Sequence, residues 1–140
     1  MKNDYEEQFI IENRIEELSA LAQKIEQLGE KWDLLSPVTM KINLVLEEAL
    51  SNIIYYAFED NEIHKIEILL KNQDNMLTIE IIDDGIPFDP LSHEQPDITL
   101  QAEERPVGGL GIFLISKIMD TVQYSRINNF NILTLKKNIE

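Results

Sequence analysis

Two polar side chains, Glu48 and Asn52, lie one turn apart in a segment with helical periodicity. At about 100° per residue, both border the buried face of that helix and do not lie opposite it. A carboxylate and an amide held side by side there can orient a nucleophilic hydroxyl and offer oxygen to a hard cation such as magnesium. Two polar residues on an exposed helix shoulder are the alternative interpretation, which needs no chemistry.

A second group of residues, IIDDGIPFD at 81–89, begins as an apolar strand and ends in acidic residues and a turn. Asp83 shares strand parity with the apolar positions of 77–81, so its carboxylate is predicted to point under the covering helices. A buried carboxylate needs a donor, and the exocyclic amine of adenine would supply one. Asp84 is predicted to point the other way, and Gly85 would let a flat ligand approach the backbone. An ordinary strand-ending turn is the alternative.

A third group of residues, VGGLGIFLI at 107–115, has glycines that open a strongly apolar helix. The free amides and positive dipole end of this helix could cradle phosphate oxygens, and Gly108, Gly109 and Gly111 leave room for a triphosphate. The segment is neither a dinucleotide-binding fingerprint nor a P-loop, because no strand leads directly into it and no Gly-Lys-Ser or Gly-Lys-Thr follows. A flexible joint between loop and helix is the alternative.

The segment 86–107 joins the second and third groups and is long for a loop in a compact domain. This length predicts a functional lid, and a lid over a nucleotide fits the two groups that flank it. Arg105 is the only lysine or arginine in the segment, so it could reach a terminal phosphate. Neutralising the surrounding carboxylates is the alternative, and simpler, role for Arg105.

The elements that must position these groups are predicted from apolar periodicity and turn residues. Helices are expected at 13–28, 36–58 and 111–119, and strands at 5–11, 64–72, 76–83, 122–127 and 130–136. We expect Gly29 to end the first helix, and Ser36 as the N-cap with Pro37 at the first helical position to begin the second. The order predicts an α+β fold with helices on one face of a mostly antiparallel, mixed sheet, in a single domain over 1–140.

Composition excludes several classes of protein. The 140 residues are 44% hydrophobic and 27% charged, as expected for one globular domain, and contain no cysteine for disulfides, thiolate metal sites or thiol catalysis. The sequence has no apolar run long enough for a membrane span and no apolar signal segment after Met1, so we expect a cytoplasmic protein. A net charge of −14 argues against direct contact with nucleic acid or anionic membranes and suits a basic protein partner.

Together and in this order, the three groups resemble the N, G1 and G2 boxes of the GHKL ATPases, which include histidine kinases, gyrase, heat-shock 90 chaperones and mismatch-repair ATPases. The forms EEALSNIIYYAF, IIDDGIPFDP and RPVGGLGIFLI look most like the compact branch of bacterial anti-sigma factors that are also serine kinases. The resemblance covers nearly the whole chain. It implies the Bergerat-type α/β sandwich, with ATP bound between the helices and a lid at about 86–107.

The resemblance also implies a role for each matching residue. Glu48 would be the general base, and Asn52 would hold magnesium between the phosphates. Asp83 would bind the adenine amine, with Gly85 beside the base. The phosphates would lie against three glycines: Gly108, Gly109 and Gly111.

Two positions depart from the family pattern, since Pro87 replaces the second glycine of the G1 box and Tyr56 stands where many relatives have histidine. The implied cofactors are ATP and Mg²⁺, and the implied partners are an antagonist protein, a sigma factor and a second copy of the chain paired through its first strand. A nucleotide-gated binding module without phosphoryl transfer remains an alternative. So does an interaction domain in which the glycines and acids only form turns.

Overall fold

The computed structural model describes residues 5–90 and 109–140, of which 109–112 are described by their backbone alone. Five strands and three helices lie in these ranges: β1 Tyr5–Glu12, α1 Glu17–Lys31, α2 Ser36–Tyr56, β2 Lys65–Gln73, β3 Met76–Asp83, α3 Gly109–Ile118, β4 Thr121–Ile127 and β5 Phe130–Asn138. The predicted element order is therefore confirmed. Within the described ranges, no helix has both the length and the apolar character needed to cross a membrane.

The five strands form one sheet in the order β1-β2-β3-β5-β4. All four pairings between the described strands are antiparallel, so the predicted α+β class is confirmed and this part of the sheet contains no parallel pair. Two tight turns join β2 to β3 at Asp74–Asn75 and β4 to β5 at Asn128–Asn129. All four turn residues have positive φ, at 52°, 64°, 51° and 67°, as in the mirror-image turns that match the strand twist.

One face of the sheet is buried under the helices, as predicted. Alternate residues of β2 and β3 are at most 1% exposed on this face: Ile66, Ile68, Leu70, Leu77, Ile79 and Ile81. The buried side of α2, including Val45 and Leu50 at 0% exposure, belongs to the same core. The opposite face of the sheet carries half-buried and exposed side chains. This asymmetry fixes which strand residues can reach a site between sheet and helices.

Helix α1 differs from its prediction at both ends. It begins at Glu17 because Asn13 instead links β1 to the loop before β2, accepting a bond at Oδ1 from His64 N at 2.8 Å. The prediction that Gly29 ends this helix is wrong, since α1 continues to Lys31. Gly29 is buried, and a Cβ at this position would lie 2.3 Å from Thr39 Oγ1. The glycine therefore allows α1 and α2 to approach each other closely.

Helix α2 begins one residue away from the predicted cap. Leu35 is the N-cap, and its carbonyl accepts from Val38 N at 2.9 Å and Thr39 N at 3.2 Å. The prediction of Ser36 as the N-cap is therefore wrong, although Pro37 does lie in the first turn, where no intrahelical N–H is needed. The helix ends at Tyr56, before the predicted end at 58.

Candidate functional site

Asn52 of α2 and Asp83 at the end of β3 line the same cavity. Asn52 is 6% exposed and Asp83 is 2% exposed. The cavity measures about 20 Å³ and is lined by Ala49, Asn52, Ile53, Asp83, Phe88, Pro90, Ile115, Tyr124, Asn131 and Leu133. This space holds about one water molecule, so a purine enters only if lining side chains such as Phe88 move aside.

The Asn52 side chain is nearly buried and its amide makes no hydrogen bond with any residue in the described part of the chain, but the fully buried side-chain atom without a partner there is Asn72 Oδ1, so the Asn52 amide keeps some access to the cavity. A ligand group or an ordered water in the cavity can therefore hydrogen-bond to the Asn52 amide. The Asn52 amide is therefore better suited to binding a ligand than to stabilising the fold.

Asp83 lies where strand parity predicted it, on the face covered by the helices, and Asp84 points away, with a side chain 47% exposed. Gly85 N donates to Asp83 Oδ1 at 2.8 Å, and Asn131 Nδ2 donates to the same oxygen at 2.9 Å. Burial raises the pKa of Asp83, while these two bonds and the Arg126 charge oppose the rise. Within the described residues both bonds end on Oδ1, so Oδ2 can accept from a ligand.

Asn131 of β5 is a site residue that sequence reasoning missed. It lies directly opposite Asp83 in the antiparallel register and is 4% exposed. The available signal was its parity, because Asn131 occupies a position of the apolar face that Leu133 and Leu135 continue. A polar residue at such a position needs a buried partner.

Glu48 faces a different space from Asn52, although the two share a stripe of α2. It lines a groove of about 570 Å³ between α1 and α2 and is not among the residues that line the small cavity. Partial burial, and then the neighbouring charge of Glu47, raise the pKa of Glu48. The structure thus places the predicted base at the edge of an open groove.

Gly85 is required by packing between the turn after β3 and the end of α2. A Cβ at Gly85 would lie 2.3 Å from the carbonyl oxygen of Ala57, and that oxygen accepts from Ile86 N at 2.7 Å. The absent side chain therefore lets the turn approach the helix. The predicted contact of Gly85 with a nucleotide base stays a prediction.

The third group of residues is described only in part. Helix α3 begins at Gly109, earlier than predicted, so Gly109 and Gly111 both lie in its first turn. The same helix carries Ile115 into the lining of the small cavity. Gly108, Arg105 and positions 91–107 of the predicted lid lie outside the described residues.

His64 belongs to none of the three sequence groups, and the structure gives it two carboxylate partners. Its Nε2 lies 2.7 Å from Asp60 Oδ1, its Nδ1 lies 3.0 Å from Asp84 Oδ1, and its ring stacks on Phe58. The bond to Asp60, followed by that to Asp84, raises the pKa of His64. Asp60, Glu62 and His64 place candidate metal ligands within 4.8 Å of one another, but both acids are exposed. His93 lies outside the described residues.

Comparison with known proteins agrees with this arrangement. The model of the histidine kinase-like ATPase domain family matches residues 11–137. The serine/threonine-protein kinase BtrW of Bordetella bronchiseptica is 27% identical over 108 residues, which cover 77% of this chain and 75% of BtrW. The serine-protein kinase RsbW of Bacillus anthracis is 30% identical over 99 residues, which cover 68% of this chain but only 61% of RsbW.

Two solved structures have a similar fold. The histidine kinase domain of a blue-light-activated kinase from Erythrobacter litoralis gives a TM-score of 0.54 at 16% identity, covering 89% of this chain and 60% of that one. The Acinetobacter baumannii histidine kinase AdeS gives a TM-score of 0.54 at 18% identity, covering 97% of this chain and 68% of that one. These likenesses concern the fold alone. Since the family model spans nearly all of the sequence, the chain belongs to the histidine kinase-like ATPase domain family, which confirms the predicted resemblance to that group.

Proposed function

We propose that this protein is a cytoplasmic, single-domain ATP-dependent serine kinase that phosphorylates a small antagonist protein and sequesters a sigma factor. The observation that carries the nucleotide part is that Asn52 and Asp83 line the same cavity, where no described residue hydrogen-bonds to the Asn52 amide and both described bonds to Asp83 end on Oδ1. Asn52 can bind through either the oxygen or the nitrogen of its amide, and Asp83 offers a carboxylate oxygen. This pair suits a ligand that has both an amine and a hard cation.

ATP with magnesium meets these requirements. Asp83 Oδ2 would accept from the adenine amine, and the Asn52 oxygen would bind Mg²⁺. The cation would supply the positive charge that offsets the phosphates, which a chain of net charge −14 does not provide as a whole. The first turn of α3, with Gly109 and Gly111, offers free backbone amides for the phosphate oxygens, and Gly108 and Arg105 complete the proposed set.

Glu48 would act as the general base toward the acceptor serine. The carboxylate takes the hydroxyl proton while the serine oxygen bonds to the γ-phosphorus, and the bond from that phosphorus to the β,γ-bridging oxygen breaks, releasing ADP. A raised pKa suits this role because a stronger base takes the proton more readily. Since Glu48 opens on the groove between α1 and α2, the acceptor segment would approach along that groove.

The partners follow from relatedness and charge. BtrW and RsbW are named as serine or serine/threonine kinases, which supports a protein hydroxyl as the acceptor. The matched region spans only part of RsbW, so the identity of the acceptor and of the sigma factor belongs to the proposal. A net charge of −14 favours partners with basic surfaces. Pairing of two copies through the free edge of β1 is also proposed.

Calorimetric titration with ATP and ADP, with and without magnesium, tests the nucleotide site. Wild type is expected to bind both nucleotides, Asp83→Asn to lose binding, and Asn52→Ala to lose the magnesium dependence. If the folded wild type binds neither nucleotide, the proposal is wrong and an interaction domain without nucleotide takes its place.

Transfer of labelled γ-phosphate to a candidate antagonist protein tests the kinase step. Glu48→Gln keeps the size and polarity of the side chain, so it should bind ATP normally and transfer phosphate at least 100-fold more slowly, the usual size of a general-base effect. An unchanged rate in Glu48→Gln rules out the assigned base. ATP-dependent capture of a partner without any phosphoprotein would instead identify a nucleotide-gated binding module.

A further inference from the structure

We propose that Asn131 is a positioning residue that makes the small cavity select a 6-amino purine over a 6-oxo purine by holding Asp83 in one orientation. The inference rests on the proposed nucleotide site and adds a specificity determinant to it. Asn131 belongs to none of the three sequence groups. Its contacts reach Asp83 from the neighbouring strand β5, which pairs with β3.

The orientation of the Asn131 amide is determined by the donors around its oxygen. Tyr124 OH donates to Asn131 Oδ1, Arg126 NH1 donates to it at 3.2 Å, and Phe88 N donates at 3.3 Å. A flipped amide would turn its own N–H groups toward these three donors. The oxygen therefore faces β4 and the segment after β3, and the nitrogen faces Asp83.

Both hydrogens on the Asn131 nitrogen are then used. Nδ2 donates to Asp83 Oδ1 at 2.9 Å and to the Ile86 carbonyl at 2.8 Å. Because Asn131 is 4% exposed, loss of either bond would leave a buried polar group without its partner. The amide can therefore only donate toward Asp83, and it ties the carboxylate to the following turn.

This arrangement decides what Asp83 can offer a ligand. Asp83 Oδ1 already accepts from Asn131 and from Gly85 N, and both bonds favour the ionised carboxylate although burial raises its pKa. An ionised Asp83 presents only an acceptor at Oδ2. An amine at purine position 6 satisfies it, whereas an oxo group there brings two acceptors together. Protonated Asp83 would reverse this, because it can donate to an oxo oxygen.

Arg126 extends the same unit to the backbone of the turn. Its NH1 donates to the Gly85 carbonyl at 2.7 Å as well as to Asn131 Oδ1. Two residues of β4 and one of β5 thus hold the turn that follows Asp83. The hairpin of β4 and β5 therefore holds the Asp83 carboxylate and the following turn in one arrangement, which Asp83 by itself would not have.

The test compares the affinities of the full chain for ATP and inosine triphosphate, each with magnesium, by calorimetry. Inosine triphosphate replaces the 6-amine by an oxo group and keeps the sugar and phosphates. Wild type should prefer ATP, and Asn131→Leu, which keeps the volume but not the bonds, should lower the ATP-to-inosine preference about tenfold or more. Tyr124→Phe removes one donor to Asn131 Oδ1 and should lower the preference for ATP over inosine triphosphate about threefold.

Asn72→Leu is the matched control, because Asn72 is also a buried asparagine on the helix-covered face, 6% exposed, but it lies near the other end of β2 and β3. Asn72→Leu should prefer ATP over inosine triphosphate by the same factor as wild type. The pH profile gives a second readout: in Asn131→Leu, affinity for ATP should begin to fall at a higher pH than in wild type as the solution is acidified, since Asp83 has lost a donor.

The outcomes separate this inference from the proposed function. If wild type binds neither nucleotide, the proposed function itself is overturned. If wild type prefers ATP and folded Asn131→Leu keeps the same preference, or loses affinity for both nucleotides equally, the positioning role is overturned. If Asn131→Leu does not fold, Tyr124→Phe decides, and an unchanged preference there overturns the inference.

Discussion

Gly85→Ala separates a packing requirement from a ligand requirement within the second group of residues. The added Cβ would lie 2.3 Å from the Ala57 carbonyl oxygen, 2.8 Å from Ala57 Cβ and 2.9 Å from the Ala57 carbonyl carbon. Two of these three atoms are backbone, so no side-chain rotation relieves the overlap. The turn must move away from α2, which stretches the 2.7 Å bond from Ile86 N to Ala57 O. Overpacking and the weakened bond together should destabilise the fold by about 2–4 kcal/mol.

Gly29→Ala is the matched control for that variant. Its Cβ would also meet a neighbour at 2.3 Å, but all three close atoms belong to the Thr39 side chain: Oγ1 at 2.3 Å, Cγ2 at 2.9 Å and Cβ at 3.2 Å. Rotation of Thr39 relieves part of this overlap, although its branched side chain keeps one heavy atom near the new methyl group. Alanine inside a helix is favoured over glycine by about 0.5–1 kcal/mol, which offsets part of the remaining crowding. We therefore expect Gly29→Ala to lose about 1–2 kcal/mol, less than Gly85→Ala.

Urea unfolding at 25 °C measures both variants in the absence of nucleotide. The expected order of stability is wild type, then Gly29→Ala, then Gly85→Ala. If Gly85→Ala unfolds like wild type and loses only ATP affinity, the packing argument is refuted and Gly85 serves the ligand. If Gly29→Ala loses as much stability as Gly85→Ala, the distinction between side-chain and backbone obstacles fails.

Four further predictions follow from the site. The affinity for ATP should fall as pH drops through the raised pKa of Asp83, so calorimetry should detect the loss starting above the ordinary value of 3.8. The pKa of His64 is raised by its bonds to Asp60 and Asp84, so its contribution to stability is fully present below its unfolded pKa and is lost as pH rises through the folded one. Urea unfolding should accordingly show the gap between wild type and His64→Gln shrinking as pH rises above 6.5. Asn52→Leu should lose magnesium-dependent ATP binding while its free energy of unfolding without nucleotide stays within about 1 kcal/mol of wild type, since no hydrogen bond to a described residue is removed; a large destabilisation would contradict the proposed binding role. Tyr55→Ala, at a 53% exposed residue of the α1–α2 groove, should raise the KM for the antagonist protein and leave ATP affinity unchanged in a steady-state phosphorylation assay.

Much of the fold could be predicted from local pattern. The alternation of β2 and β3 with a turn between them gave the hairpin, and strand parity alone gave the burial of Asp83 and the exposure of Asp84. The same period put Asn52 beside the core of α2. These features depend on residues within one element, where the spacing of apolar side chains is sufficient.

The errors arose where distant elements meet. Gly29 has the local features of a helix end, but it lies inside α1 at a point where a side chain would overlap Thr39 of α2. Asn131 becomes a partner of Asp83 only through the register of β3 with β5, which neither strand determines by itself. The contact of Gly85 with Ala57 likewise depends on where α2 ends. Tertiary packing decided each of these positions, so no window of sequence contained the answer.

The position of β5 in the sheet has a consequence for how the protein matures. Among the described strands β5 comes last in the sequence, yet it lies between β3 and β4 and not at an edge. During synthesis Asp83 therefore leaves the ribosome well before Asn131, and until β5 inserts, β3 has an open edge that can pair wrongly. Such late, long-range pairing is slow compared with closing a hairpin. If the proposed nucleotide site is correct, nascent chains that end before β5 should not retain nucleotide, because the partner of Asp83 on β5 is missing.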